Sequence, residues 1–450
     1  MAGPAFSVPA PSVQRRKPAG FWTNWGGNQR CAPEEISRPT TLAQLTTAVK
    51  AAAAKGQVVK AVGSGHSFTD VACTSGVQVR LDGYDRILNI DRERMQVTVE
   101  SGVTIAALSE ALAGAGLAMP NLGDIGYQSI SGAISTGTHG TGAKLCGLAH
   151  QVSALELVSG DGSVVSASAE EEAGIFAAAR LGLGAMGILS SVTLQCVPAF
   201  RLRAEEKAMR VDDVLAGIDE LVDGNDHFEF YWVPHTGWAL TKTNNRTDEP
   251  VGGRGRAREW YEQVLLENVA FGAVCRVGRI RPHWIPRLAT AVPSTGTRRY
   301  VARSDKVFTS PRMVRFCEME YSLPREHLAT ALNRLRQFIE DAGLMVSFPV
   351  EVRVAAPDDI PLSTSYGRQS CYIAIHMYRG MPYDQYFRGA EAIFSALEGR
   401  PHWGKLHYQT AATLAPRYPK WAEFQAARRR VDPDGRFANA YTDRVLGPVS

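Results

Sequence analysis

The sequence predicts two α+β domains in tandem, and three observations carry that expectation. The chain has 450 residues, more than a single hydrophobic core ordinarily organises. Up to about residue 200, short strands and helices alternate around two glycine-rich loops, 63–67 and 128–142. From Arg201 the texture changes, with aromatic strands mixed among amphipathic helices. A hydrophobic content of 45% and a charged content of 21% are those of an ordinary soluble globular protein.

Residues 1–19, rich in Pro, Ala and basic side chains, are expected to form a disordered tail. Arg15-Arg16-Lys17 is followed by no apolar helical stretch, so a twin-arginine export signal is rejected. Thr41 to Gly56 reads as a helix: Leu42, Leu45 and Val49 share a face, Thr40 or Thr41 caps it, and Gly56 ends it. The run 57–62, QVVKAV, is β-branched and reads as a strand leading into the first loop. Strands are expected at 77–81, 87–90 and 95–100, and a helix opens at Thr104 and ends near Gly114 or Gly116. Residues 128–142, QSISGAISTGTHGTG, read as a second small-residue loop. Asp161-Gly162 places a hairpin between 152–158 and 163–166. Residues 173–181 are helix-like and 188–197 alternate as a strand. Residues 20–200 thus form one domain whose two loops face a single ligand.

The second domain, 201–425, is expected to hold strands at 227–233 and 316–321, a helix at 327–342 and an Arg/Gly loop at 250–258. The stretch 428–439 reads as a helix end followed by a turn. Arg254, Arg256, Arg258, Arg276, Arg279, Arg281 and Arg287 make one basic neighbourhood, read first as a solvated face and second as a surface for an anionic partner or a membrane. A net charge of +4 gives no general case for a nucleic-acid partner. The seven cysteines (31, 73, 146, 196, 275, 317 and 371) contain no CxxC pair, which argues against a disulfide framework and a zinc site. That pattern suits a reducing cytoplasm, and no metal is expected. No stretch approaches the roughly 18 apolar residues of a spanning helix, so membrane contact is at most peripheral.

Gly63 and Gly65 let the chain turn sharply and expose N–H groups to a pyrophosphate, with His66 at the lip. Taken alone, the loop reads equally as a tight surface turn. Gly182-x-Gly184-x-x-Gly187 matches the dinucleotide fingerprint, but a helix precedes it and a strand follows, the reverse of what that motif needs. Glu351 and Arg353 alternate on one strand face. Alone, they would read as a cross-strand surface pair.

Four ordered motifs, Val62 to Thr74 (VGSGHSFTDVACT), Ser135 to Gly142 (STGTHGTG), Pro401 to Lys405 (PHWGK) and Asp432 to Asn439 (DPDGRFAN), resemble the vanillyl-alcohol-oxidase type of FAD flavoprotein. Within it the chain is similar to the aldonolactone and alditol oxidoreductases, actinobacterial lactone dehydrogenases among them, from Trp22 to Gly447. The resemblance implies an α+β fold: a two-subdomain FAD-binding domain of that type, an α+β substrate (cap) domain, and a tail returning to the FAD domain. It implies FAD held by Gly63, Ser64, Gly65, His66 and Ser67. Backbone N–H groups and small side chains of Ser131, Gly132, Thr136, Gly137, Thr138 and Gly140 would join them, with His139 structural. His66 would carry the flavin covalently on its 8α-methyl carbon. Glu351 would bind sugar hydroxyls, Arg353 would hold the substrate oxygen and stabilise the reduced flavin, and Lys405 would position or deprotonate the reacting hydroxyl. His407 is a weaker candidate, and Arg436 and Asn439 would close the flavin domain. The implied reaction is hydride transfer from a sugar lactone such as L-gulono-1,4-lactone, with D-arabinono-lactone and alditols as rivals. The acceptor would be a cytochrome, a quinone-like molecule or O2, gated by Ser131 or Gly132. A flavin-binding redox carrier is the rival outside catalysis, and the complete Glu351, Arg353 and Lys405 set argues against it.

Overall fold

The computed structural model describes residues 20–253, 255, 268–291 and 296–449. The expected tail 1–19, and Arg254, Arg256 and Arg258 of the basic neighbourhood, lie outside the described residues.

The chain first builds a three-stranded parallel sheet in the order Glu35–Ser37, Val77–Arg80, Val59–Val62. Helix Leu42–Ala54 covers it, burying Leu45, Val49 and Ala52 against Val59, Val77 and Val79. Thr41 is the N-cap, accepting a hydrogen bond from the Gln44 amide, and Gly56 takes φ +66 where the chain reverses. A five-stranded antiparallel sheet follows, in the order Val164–Ser168, Val152–Val158, Ile188–Gln195, Gln96–Glu100, Ile87–Asp91. Its first hairpin turns at Asp161-Gly162, where the Asp161 carboxylate accepts from Ser159, Ser163 and the Ser163 amide. The GxGxxG run at 182–187 lies between helix Ala173–Ala179 and strand Ile188–Gln195, the order in which that motif cannot cradle a dinucleotide.

One element departs from the sequence expectation. Residues 128–142 are not a continuous loop: Ile130–Ser135 is a short helix capped by Ser129. Ile130, Ala133 and Ile134 recur at helical spacing and are buried, a pattern that Gly132 and the flanking Ser and Thr residues disguise. The glycine-rich turn proper begins at Gly137, φ +81.

The second half of the chain forms an eight-stranded antiparallel sheet. Its order is Arg298–Arg303, Arg201–Arg210, Trp238–Thr247, His227–Trp232, Val350–Ala355, Ser370–Tyr378, Phe316–Pro324, Arg400–Pro401. Alternation gives each central strand two characters. Phe228, Phe230, Trp232, Val350, Val352, Val354, Ile373 and Ile375 face helices Leu328–Asp341 and Asp384–Ser395, in a core with Leu332, Leu335, Phe387 and Phe394. The opposite face carries Glu229, Glu318, Glu320, Glu351, Arg353 and His376, and these are buried too. Strand Val350–Ala355 is buried at every position. A sheet with one apolar and one charged buried face needs polar partners on the charged side.

Helix Trp421–Val431 packs on Ala173–Ala179 and brings the tail back to the first half of the chain. Arg436 accepts from the Val59 amide at 2.8 Å through its carbonyl and donates to the Gln57 carbonyl at 3.0 Å. Asn439 donates to the carbonyls of Asp70, Val71 and Cys73. The tail therefore ties down the strand and the loop that carry His66.

Candidate active site

The loop Gly63–Ser67 presents five successive amides, none of which donates to another described residue. Such a row of unmet N–H groups is an anion cradle. Gly65 reaches φ +71. A Cβ on Gly63 would lie 1.9 Å from Ser129 Oγ, so the two glycine-rich segments touch there and only glycine fits. Asn24 donates to the Ser67 carbonyl and Asn28 and Gln29 donate to that of Phe68, fixing the loop from the N-terminal side.

His66 stacks on Trp25 with ring centroids 5.7 Å apart, and its Nδ1 is shielded from solvent without a hydrogen-bond partner among the described residues. Burial and the nearby Lys405 ammonium push its pKa down to about 4, so the ring is neutral at physiological pH and its nitrogen lone pair is free. A row of free amides, a glycine with no room for a side chain and an orphaned imidazole nitrogen together fit FAD. The second segment contributes less than expected. The Ser131 amide donates to the Ser101 carbonyl, that of Gly132 to Ser129 Oγ, that of Gly137 to Ile134 and that of Thr138 to Ala133. Their N–H groups are consumed within the short helix and its flanks or, for Ser131, by the Ser101 carbonyl, and Thr136 Oγ1 is spent on the Gly132 carbonyl. Gly140 keeps a free amide, and a Cβ there would meet Asn121 and the Leu122 carbonyl.

The charged sheet face meets these loops. Arg353 Nε donates to Glu229 at 2.9 Å, and its Nη2 lies 2.5 Å from Glu351 and 3.8 Å from Asp124. Asp124, from the first half of the chain, also pairs with Arg312. Burial alone would raise the Asp124 carboxyl, but Arg312 and Arg353 outweigh it and hold it well below the carboxylate range. Glu351 moves the other way: burial, with Asp124 and Glu229 beside it, pushes its pKa up against the pull of Arg353. Its Oε1 has no donor in hydrogen-bond geometry despite the close guanidinium. Lys405 sits 2.5 Å from Glu318 and 4.0 Å from Glu320. Burial would depress its ammonium, but these two carboxylates hold it above the usual lysine range. Lys405 is therefore a fixed cation, and the deprotonating role expected for it conflicts with its surroundings.

Gly404 joins the two parts. Its carbonyl accepts from the Phe68 amide at 2.7 Å, and a Cβ there would lie 3.4 Å from both Ser67 and Thr136. His139 is anchored as a structural residue would be, with Nδ1 on the Gly140 carbonyl at 2.9 Å, Nε2 on Glu320 at 3.0 Å and its ring stacked on Tyr372. Donor atoms of His139, Glu320 and His402 lie within 4.8 Å of one another, the spacing of a ligand set. Glu320 already has its cationic partner in Lys405. His407 lies apart, bonded to Tyr441 at 3.1 Å.

The structure thus brings Glu351, Arg353 and Lys405 to one face, beside Gly63–Ser67. It adds Asp124, Glu229, Arg312, Glu318, Glu320 and His376, which the sequence reading missed. Glu229 in HFEFYW and Glu318 and Glu320 in FCEMEY are charges alternating with apolar residues, the same pattern that Glu351 and Arg353 show. Asp124 stands in an irregular segment and carried no such signal.

Comparison with known proteins bears on the family and the fold. The profile of the D-arabinono-1,4-lactone oxidase family matches residues 192–445, and that of the FAD binding domain matches residues 33–168. The chain is 47% identical to an L-gulono-1,4-lactone dehydrogenase of Mycobacterium tuberculosis over 434 residues, covering 95% of this chain and 99% of that protein. It is 34% identical to an L-gulonolactone oxidase of Scyliorhinus torazame, covering 94% and 97%. It is 31% identical to an alditol oxidase of a Streptomyces species, covering 94% and 98%. Among solved structures, a cholesterol oxidase of Brevibacterium sterolicum superposes with a TM-score of 0.80 at 17% identity, covering 98% of this chain and 100% of that one. That likeness shows the fold alone.

Proposed function

This chain belongs to the D-arabinono-1,4-lactone oxidase family of FAD-dependent oxidoreductases, and from that premise we propose that it oxidises a secondary alcohol of a sugar lactone. L-gulono-1,4-lactone is the proposed substrate, giving a 2-keto product that tautomerises to an ascorbate-type enediol. One observation carries the reading: the buried Glu351–Arg353 pair and Lys405 share a face that borders the Gly63–Ser67 amides and His66.

Residues 20–200 with the tail 426–450 hold FAD, and 201–425 shape the substrate side. Bound FAD supplies the hydride acceptor for the substrate C–H. The amides of Gly63–Ser67 take the pyrophosphate, and His66 Nδ1, neutral and unpartnered, is the point of covalent attachment. Arg353, held on two sides by Glu229 and Glu351, keeps its guanidinium fixed where substrate oxygen binds. Glu351, a carboxylate with a raised pKa whose Oε1 lies against the Arg353 guanidinium, receives the proton of the reacting hydroxyl. Lys405, pinned by Glu318 and Glu320, remains protonated and offers a second positive charge. The compartment that suits seven free thiols is a reducing cytoplasm, and the proposed acceptor is a cytochrome or a quinone-like molecule in preference to O2.

The test is a panel of L-gulono-1,4-lactone, D-arabinono-1,4-lactone and xylitol, run in parallel with O2 and with an artificial dye. Dye reduction by gulonolactone without peroxide is the expected outcome. Turnover of xylitol alone would overturn the lactone assignment. Acid precipitation tests attachment: yellow colour stays with the wild-type pellet and leaves it in His66→Ala.

A further inference from the structure

The basic neighbourhood joins its charge to exposed apolar side chains, which favours the membrane reading over the solvated face. From Asn268 to Arg299 the chain carries six arginines and no acidic residue. Arg298 and Arg299 are paired on the sheet with Glu206 and Glu205. Arg276, Arg279, Arg281 and Arg287 are exposed and pair with no acid among the described residues. Large apolar side chains stand among them: Val269 is 52% exposed, Ile280 65% and Trp284 44%. Met313, 49% exposed, adjoins them through its amide, which donates to Asn268.

This is not a helix waiting for its core. The inner side of Phe271–Ile280 is already satisfied, with Phe271 and Cys275 packed among Phe68, Phe316 and Phe348, and Gly278 against Ile285. What points outward is apolar and cationic together. A solvated helix mixes both signs of charge and keeps Ile and Trp off its outer face. A symmetric dimer through this patch would set arginine against arginine. A surface with fixed negative charge above an apolar interior satisfies both features at once.

We propose that the helical hairpin from Phe271 to Ala291 is an interfacial anchor that seats the protein on bilayers containing anionic phospholipid. Ile280, Trp284 and Val269 enter the acyl boundary, and Arg276, Arg279, Arg281 and Arg287 meet the headgroup phosphates. The anchor's inner face shares an aromatic cluster with Phe68 and Trp25, the residue stacked on His66. The hairpin is therefore packed, through its inner face, against the residues that flank the candidate flavin loop.

The experiment is co-flotation of the full-length holoprotein with vesicles of phosphatidylcholine, with or without phosphatidylglycerol, at low and high salt. Binding only to the phosphatidylglycerol vesicles, weakened by salt, is expected. Replacing Arg276, Arg281 and Arg287 by Gln removes three contacts worth about 1 kcal/mol each, a loss of about a hundredfold in affinity. Ile280→Asp should release the protein with its near-UV circular dichroism unchanged, which reports an intact fold. Equal binding to phosphatidylcholine would overturn the proposal, as would undiminished binding of both variants. A wild-type dimer in light scattering that Ile280→Asp disperses would also overturn it, since the patch would then be a subunit contact.

Discussion

Arg353→Met strands one particular charge. In the wild type the guanidinium serves three carboxylates: Glu229 at 2.9 Å, Glu351 at 2.5 Å and Asp124 at 3.8 Å. Two of them keep a partner after the substitution. Glu229 retains Lys242 at 3.5 Å and the Tyr231 hydroxyl at 3.2 Å, and Asp124 retains Arg312. Among the described residues, Glu351 retains no ion-pair partner. Breaking a buried pair while leaving one charge behind costs about 3–5 kcal/mol. Adding Glu351→Gln removes the stranded charge, so the double variant should recover most of that loss. The coupling between the two positions is then about 2–4 kcal/mol, against near zero for independent sites. Urea unfolding of the wild type, both single variants and the double variant measures it. The pH dependence has a definite sign. The folded-state pKa of Glu351 is already raised, and without Arg353 it rises further. Folded protein then holds that proton more tightly than unfolded chain, so the Arg353→Met deficit shrinks as pH falls through that pKa. All variants should have lost lactone turnover, whatever their stability. Additive single effects, or a deficit that grows on acidification, would refute the charge assignment.

Lys60 is buried at 1% exposure, with its ammonium 3.2 Å from the Gly184 carbonyl and its pKa pushed by burial and Arg428 down to about 7. The unfolded lysine keeps its proton up to about pH 10.4, so wild-type stability should climb by about 1.4 kcal/mol per unit between pH 7 and 10. Lys60→Met should flatten that slope in thermal melts; an unchanged slope means another group is responsible. Gly63→Ala should displace Ser129 Oγ from the Gly132 amide and weaken FAD binding by about fivefold or more, an N-cap loss alone being worth about 1 kcal/mol. Combining it with Ser129→Gly should restore part of the affinity in a fluorescence titration, and no recovery would place the clash elsewhere. With a pKa near 4, His66 is neutral above that value, so the yield of covalent flavin should be flat between pH 5 and 8. A midpoint near 6.5 would mean the imidazole is not shielded as described.

Much of this protein was legible in its residues alone. Helix Leu42–Ala54, strand Val59–Val62 and the Asp161-Gly162 hairpin are local objects, decided by caps, periodicity and turn chemistry within a few residues. The reversed context of Gly182–Gly187 was equally local. Glu351 and Arg353 share a strand face by alternation, but that pattern alone reads as a surface pair, and only the family resemblance marked them as site residues. Helix Ile130–Ser135 was hidden because glycine, serine and threonine favour turns, and only burial of Ile130 and Ile134 tips the balance to helix. Tertiary structure alone decided the rest. Which carboxylates surround Arg353 depends on strands 120 residues apart in the chain meeting in register, and Asp124 arrives from the other half of the molecule. Electrostatic energy depends on distances in space and on burial, and neither is written along the chain. That is why the sequence could name Lys405 as a cation near the site, while only the fold shows Glu318 and Glu320 holding it charged.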